Sequence, residues 1–179
     1  SSPIAAKTDV SRDSALGRAA LNHVRARGPE MGVASMDFVV DRVIPSRTGA
    51  KVVKLRQSID GVPVLGGGAV VMVREDGVVR RVGVDVAAHL AVDTHPDLDA
   101  EDALASLEAS LGRTLPAAEK SRLVIGRMGE GRLLWELDVR DSLGGTRYWV
   151  DAHDGLPVMK QDLAMDVLGR VYTKNEIES

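Results

Sequence analysis

The stretch Lys51–Val84, KVVKLRQSIDGVPVLGGGAVVMVREDGVVRRVGV, constrains the fold more than any other part of the chain. Three runs rich in β-branched residues are broken by turn residues, and each run has the length of one strand. In the first run Val53, Leu55, Gln57 and Ile59 share one parity, while Lys54, Arg56 and Ser58 share the other. This alternation predicts a strand with one dry face and one wet face. Asp60-Gly61 and Glu75-Asp76-Gly77 supply turn residues that tolerate positive φ. An antiparallel meander is therefore expected here.

The flanks add helices and more strands. Leu16, Ala20 and Val24 recur at helical spacing, with Leu21 widening the stripe. They predict a helix from about Ser11 to Arg27, stopped by Gly28-Pro29 and weakened by Gly17. Residues 1–10 are expected to form a loose end. Met36, Phe38 and Val40 suit a strand within 33–43. Beyond the meander, Asp99 is placed as an N-cap with Asp102 at the third helical position. Ala103, Leu104, Leu107 and Leu111 give that helix an apolar face, and Gly112 ends it. A short strand is expected at 123–125. In the next, Leu133, Trp135, Leu137 and Val139 face one way, with Glu136, Asp138 and Arg140 facing the other. Tyr148 and Val150 share a face of a strand over 146–152, and Asp154-Gly155 turns the chain into a last strand at 156–159. The expected fold class is α+β: two small units, each a helix packed on a curved antiparallel sheet, followed by an extended C-terminal tail.

Composition excludes several functions. Aromatic residues make up 3% of the 179, with Phe38 the only phenylalanine, so the core is expected to consist of Val, Leu, Ala, Ile and Met. Lys and Arg number 23 against 26 Asp and Glu, without a basic block, so nucleic-acid binding has no electrostatic footprint. With no cysteine there is no disulfide framework, thiolate nucleophile or Cys-type zinc site. No apolar run approaches the roughly 20 residues that span a bilayer.

Catalytic patterns are missing too. None of the four histidines, His23, His89, His95 and His153, lies in a His-Glu-x-x-His helix, and no Gly-x-Ser-x-Gly elbow occurs. His89 and His95 with Asp93 and Asp97 fit no standard metal-ligand spacing, and Asp151, His153 and Asp154 read as a polar turn. Gly66-Gly67-Gly68 leads into the β-rich 69–73 rather than a helix, which predicts a bulge or turn that re-aims the strand instead of a phosphate loop.

The order Arg56-Gln57, Asp60-Gly61-Val62-Pro63-Val64-Leu65-Gly66-Gly67, an apolar run and the Asp76-Gly77 turn resembles the fungalysin/thermolysin propeptide motif. The second helix and meander, ending Trp149-Val150-Asp151-Ala152 and then Asp154-Gly155, resemble a PepSY module. Together the resemblances imply a propeptide-like domain over 1–90, a PepSY-like domain over 91–161 and a junction tail over 162–179. They imply a non-catalytic pro-region of a secreted or periplasmic zinc metalloprotease, acting as intramolecular chaperone and as inhibitor of the cleft. The partner is then the cognate metalloprotease catalytic domain, with neither nucleic acid nor membrane. No cofactor belongs to this chain; zinc and calcium are implied in the partner.

Gly169-Arg170-Val171-Tyr172 and Asn175 look like the junction of fungalysin-type precursors. The protease-binding residues the resemblance implies are Arg56, Gln57, Val171, Tyr172, Asn175, Ile177 and Ser179. For Arg56 and Gln57 a structural reading stands beside the functional one, since a strand Gln on the buried parity needs hydrogen-bond partners. If Ser179 is a processed end, its carboxylate would approach the partner's zinc. The alternative is a freestanding exported PepSY-type module that inhibits proteases or binds another partner.

Overall fold

A computed structural model describes residues 3–142 and 144–163. The chain divides into two compact units, residues 1–91 and 92–179. The fold is α+β, with antiparallel strands and few helices.

The first unit runs α1 (Pro3–Ala26), α2 (Gly28–Met31), β1 (Asp37–Pro45), β2 (Lys51–Ile59), β3 (Val62–Val73) and β4 (Val79–Asp85). Helix α1 begins at Pro3, well before the expected Ser11; proline suits a first helical position because its missing N–H would have no partner there. Gly28-Pro29 does end α1, but Pro29 also starts the single turn of α2, which closes on Gly32 at φ 71°. Each strand pairs antiparallel with the next. Leu16, Ala20 and Val24 of α1 are buried against Phe38, Val53, Leu55, Ala69, Val71 and Val73. Gly17 eases this approach: a Cβ there would sit a tight 3.2 Å from the Val40 side chain. Asp60 and Gly61, at φ 49° and 80°, form the tight β2–β3 turn, as their types predict. Gly77 at φ 83° closes the next turn, where the Arg74 amide donates to Val78 O.

The expected alternation in β2 holds through Gln57 and then breaks. Ser58 is buried and Ile59 only half-buried, the reverse of the simple pattern. The reason is a bulge: Arg56 pairs with Gly68 and Ser58 with Pro63, so Val64–Gly67 all stand opposite Gln57. Of the expected bulge or turn, the glycine run is the bulge, inside a continuous β3, with Gly66 at φ 70°.

The second unit holds α3 (Ala100–Leu111), β5 (Lys120–Gly126), β6 (Arg132–Asp141), β7 (Gly144–Asp151) and β8 (Pro157–Asp162), again antiparallel neighbours in sequence order. Asp99 caps α3 by accepting from the Asp102 amide at 2.8 Å, and Gly112 ends it at φ 66°. Ala103 and Leu107 pack on Leu137, Val139, Tyr148 and Val150, whereas Leu111 lies 39% exposed, at the edge of the expected apolar face. Strand β8 continues through Asp162, which pairs with Thr146, so the first residue of the expected tail belongs to the sheet. Residues 164–179 lie outside the described residues. Among the described residues no helix is long and apolar enough to cross a membrane.

Leu107 is fully buried at the centre of the second core, so Leu107→Ala should cost about 2–5 kcal/mol. The chain's two tryptophans, Trp135 and Trp149, both lie in this unit, so urea unfolding followed by their fluorescence reads that loss directly.

Candidate functional site

The glycine bulge in β3 makes room for one side chain. Gln57 is only 3% exposed, and its carboxamide closes two hydrogen bonds with a single residue. Its Nε2 donates to Ala87 O at 2.9 Å, and the Ala87 amide donates to its Oε1 at 2.9 Å. The side chain thereby acts as an extra peptide group, pinning the segment after β4 to the turn-proximal end of β2. Gly67 completes the arrangement, because a Cβ there would lie 2.6 Å from Gln57 Oε1. A Cβ on Gly68 would collide with Leu55 O, the backbone it pairs beside. Gln57, the bulge and the two glycines therefore form one unit of geometry. A buried amide needs both partners, and the bulge leaves space for nothing larger than glycine beside it.

Arg56 points to the other face of the sheet, opposite α1. Its Nη2 donates to Asp41 Oδ1 at 3.0 Å, and its side chain is 29% exposed. Val39 pairs with Arg56, and Val70 pairs with Lys54, so all four share that face. Val39 and Val70 are 45% and 46% exposed. Strand register thus gives Arg56 and Gln57 different work. The arginine stands on an open, partly apolar face, and the glutamine is fully engaged inside.

The second unit holds a cluster that the alternation in β6 did not reveal. Glu136 and Asp138, on the face opposite α3, are buried rather than wetted. Arg147 Nε and Nη2 donate to the two oxygens of Asp138 at 2.6 and 2.8 Å. Arg122 Nε donates to Glu136 Oε1 at 2.7 Å, and the Trp149 indole donates to Oε2 at 2.9 Å. The hydrogen bonds from Arg147 hold the Asp138 carboxyl below its ordinary value of 3.8, against the opposing effect of burial. Arg122, Arg147 and Trp149 lie on the neighbouring strands β5 and β7, so only the register brings them to these carboxylates. Both oxygens of each carboxylate thus meet a donor from a neighbouring strand, as in a structural network.

No three acidic or histidine side chains among the described residues are grouped to hold a metal ion. Instead of joining His89 or His95 in a metal site, Asp97 meets His153 at 2.8 Å, and His95 pairs with Asp93 at 3.1 Å. Of the residues expected to bind a protease, Val171, Tyr172, Asn175, Ile177 and Ser179 lie outside the described residues.

Residues 37–86 match the model of the Fungalysin/Thermolysin Propeptide Motif. The matched span begins with β1 and ends one residue short of Ala87, so it encloses Gln57, the turn and both packed glycines. The motif is that of a non-catalytic pro-region, it implies association with a protease catalytic domain, and propeptides that carry it belong to secreted proteases. Among solved structures, the Bacillus megaterium YpeB C-terminal domain is similar at 15% identity with a TM-score of 0.43. That alignment covers 82% of this chain and 64% of the other. No curated protein matches the chain.

Two substitutions separate the clamp from the network. Gln57→Leu leaves the Ala87 N–H and C=O without their partner and should cost about 1–3 kcal/mol, with amide exchange at Ala87 accelerating before the rest of the first unit melts. Arg147→Ala should destabilise the second unit by a similar 1–3 kcal/mol or so and raise the Asp138 pKa. Because that pKa is depressed in the folded state, the stabilisation is present above 3.8 and is lost as pH falls through the folded value. Carboxyl-carbon NMR of Asp138 and acid unfolding of both proteins check this.

Proposed function

We propose that this chain is the pro-region of a secreted zinc metalloprotease of the thermolysin or fungalysin type. It assists folding of the catalytic domain and then blocks its cleft until removed. The observation that carries this reading is the propeptide motif over 37–86, together with the fully satisfied clamp formed by its glutamine and glycines. A motif whose polar residue is internally bonded serves to hold a shape, which is what a folding template requires. The second unit, with α3 laid on the antiparallel β5–β8 sheet, suits the PepSY-like role expected of it.

The physical mechanism needs no catalytic residue in this chain. A domain that binds the native catalytic domain better than its unfolded form stabilises it by mass action. Covalent linkage raises the effective concentration of the two parts. Arg56, on the open face opposite α1, and Val171, Tyr172, Asn175, Ile177 and Ser179 of the tail make the contacts with the protease. Gln57 contributes by fixing the strand that presents Arg56. The tail occupies the cleft in extended form, so inhibition is steric. The zinc, and calcium with it, belong to the partner.

Refolding a thermolysin-type or fungalysin-type catalytic domain from denaturant, with and without this chain in the same polypeptide, tests the proposal. The chain should raise the yield of native enzyme and suppress its activity until cleaved. Removing residues 164–179, beyond the last residues paired with β7, should weaken inhibition by about tenfold, or roughly 1.4 kcal/mol of binding, while leaving the folding assistance in place. Equal refolding with and without the chain, and full activity in its presence, would leave a freestanding binding module as the better description.

A further inference from the structure

Residues 93–98 lead into α3 and lie along the end of β7 in the same unit. The Asp97 and Leu98 amides both donate to Ala152 O, at 3.1 and 3.0 Å. Leu98 O in turn accepts from the Trp135 indole at 2.8 Å. His153, the residue after Ala152, reaches this segment with both ring nitrogens. Nδ1 lies 2.8 Å from Asp97 Oδ2, and Nε2 lies 3.3 Å from Asp93 O. The histidine backbone is fixed separately, since its amide donates to Asp151 Oδ1 at 2.8 Å. The ring is therefore aimed from a turn that its own titration does not hold together.

Protonation decides how many of these bonds exist. A carboxylate and a backbone carbonyl can only accept. A neutral imidazole has one N–H and one lone pair, so it satisfies one acceptor and turns a lone pair toward the other. The imidazolium alone donates to both. We propose that His153 is a proton-operated latch, which as imidazolium fastens residues 93–98 to the β7–β8 turn and on losing its proton loosens them.

The charges around the ring favour the closed form. The Asp97 carboxylate and the charge of Asp93 face it from the 93–98 segment, and Asp151 adds its charge from its own turn. Arg132 of β6 is held by Asp151 at 3.0 Å and by Asp154 at 3.7 Å, which keeps this cation on the carboxylates. His95 is taken up by Asp93, through both its backbone amide at 2.9 Å and its ring at 3.1 Å. The hydrogen bond to Asp97 raises the His153 pKa above 6.5, opposed by desolvation and aided by the Asp93 carbonyl and the charges of Asp97 and Asp151. A pKa raised by folding gives stabilisation that is complete below 6.5 and disappears as pH climbs through the folded value. The latch is closed in mild acid and opens toward alkaline pH.

NMR on the full chain tests this, with the ring signals of His153 followed together with amide exchange at Asp97 and Leu98, corrected for the intrinsic pH dependence of exchange. His153 should titrate above 6.5, and Leu98 protection should fall by about threefold over the same range, a modest step because the pair is partly solvated. The Trp135 indole proton should shift in parallel. In His153→Gln the step should vanish, with Leu98 at the lower protection throughout. In Asp97→Asn, which keeps an acceptor but removes the charge, the titration and the step should move together toward 6.5. Protection that stays flat through the His153 titration, a step that persists in His153→Gln, or a wild-type titration at or below 6.5 would overturn the proposal. If His153→Gln does not fold, the displacement in Asp97→Asn decides alone.

Discussion

One buried side-chain amide organises the first unit. Gln57 sits where a strand would ordinarily present an apolar residue, and burying an unpaired amide there would be costly. Its two bonds to Ala87 remove that cost and give the chain a ladder rung that no backbone supplies. The other local features follow from this rung. The β3 strand must bulge to admit the side chain, and the bulge must be glycine-rich because Gly67 abuts the amide and Gly68 abuts Leu55. The turn before it must be tight, so Asp60 and Gly61 both take positive φ. A sequence that reads as a list of preferred residues is thus a set of mutual steric and hydrogen-bonding requirements.

The second unit solves a different problem. Its sheet has α3 on one face, and on the other it carries three buried carboxylates, Glu136, Asp138 and Asp151, of which the first two form the network with Arg122, Arg147 and Trp149. Such a network adds little net stability over a well-packed apolar face, because desolvation offsets most of the Coulombic gain. Its geometry is demanding, however. Asp138 takes both Nε and Nη2 of Arg147, and Glu136 needs Arg122 and the Trp149 indole in register. We read it as a device that fixes the pairing of β5, β6 and β7, since a one-residue slip would strand each charge.

The legible parts were those written in local chemistry. Alternation located the strands, Asp99 and Gly112 marked the ends of α3, and the Asp-Gly pairs marked turns, because each depends on residues a few positions apart. Gln57 on the buried parity signalled that a partner must exist, but the identity of Ala87, thirty residues on, depended on the bulge. The start of α1 was obscure because its only large apolar residues before Leu16, Ile4 and Val10, stand six apart and so off the helical period. Burial of Glu136 and Asp138 was hidden since charged residues on the second parity of a strand ordinarily mean a wet face; their partners come from other strands. The His153–Asp97 pair spans 56 residues and leaves no local trace. The functional reading came from the residues around Gln57 and from nothing catalytic, which is consistent with a chain whose proposed task is to be a shape.

That reading makes a demand on the gene as well as on the protein. A pro-region acts on a catalytic domain that follows it in the same polypeptide, so the most direct measurement is to sequence the reading frame beyond the codon for Ser179. The account predicts an in-frame segment encoding a His-Glu-x-x-His helix, the two imidazoles and carboxylate of a zinc peptidase. A stop codon at or immediately after Ser179 would contradict it.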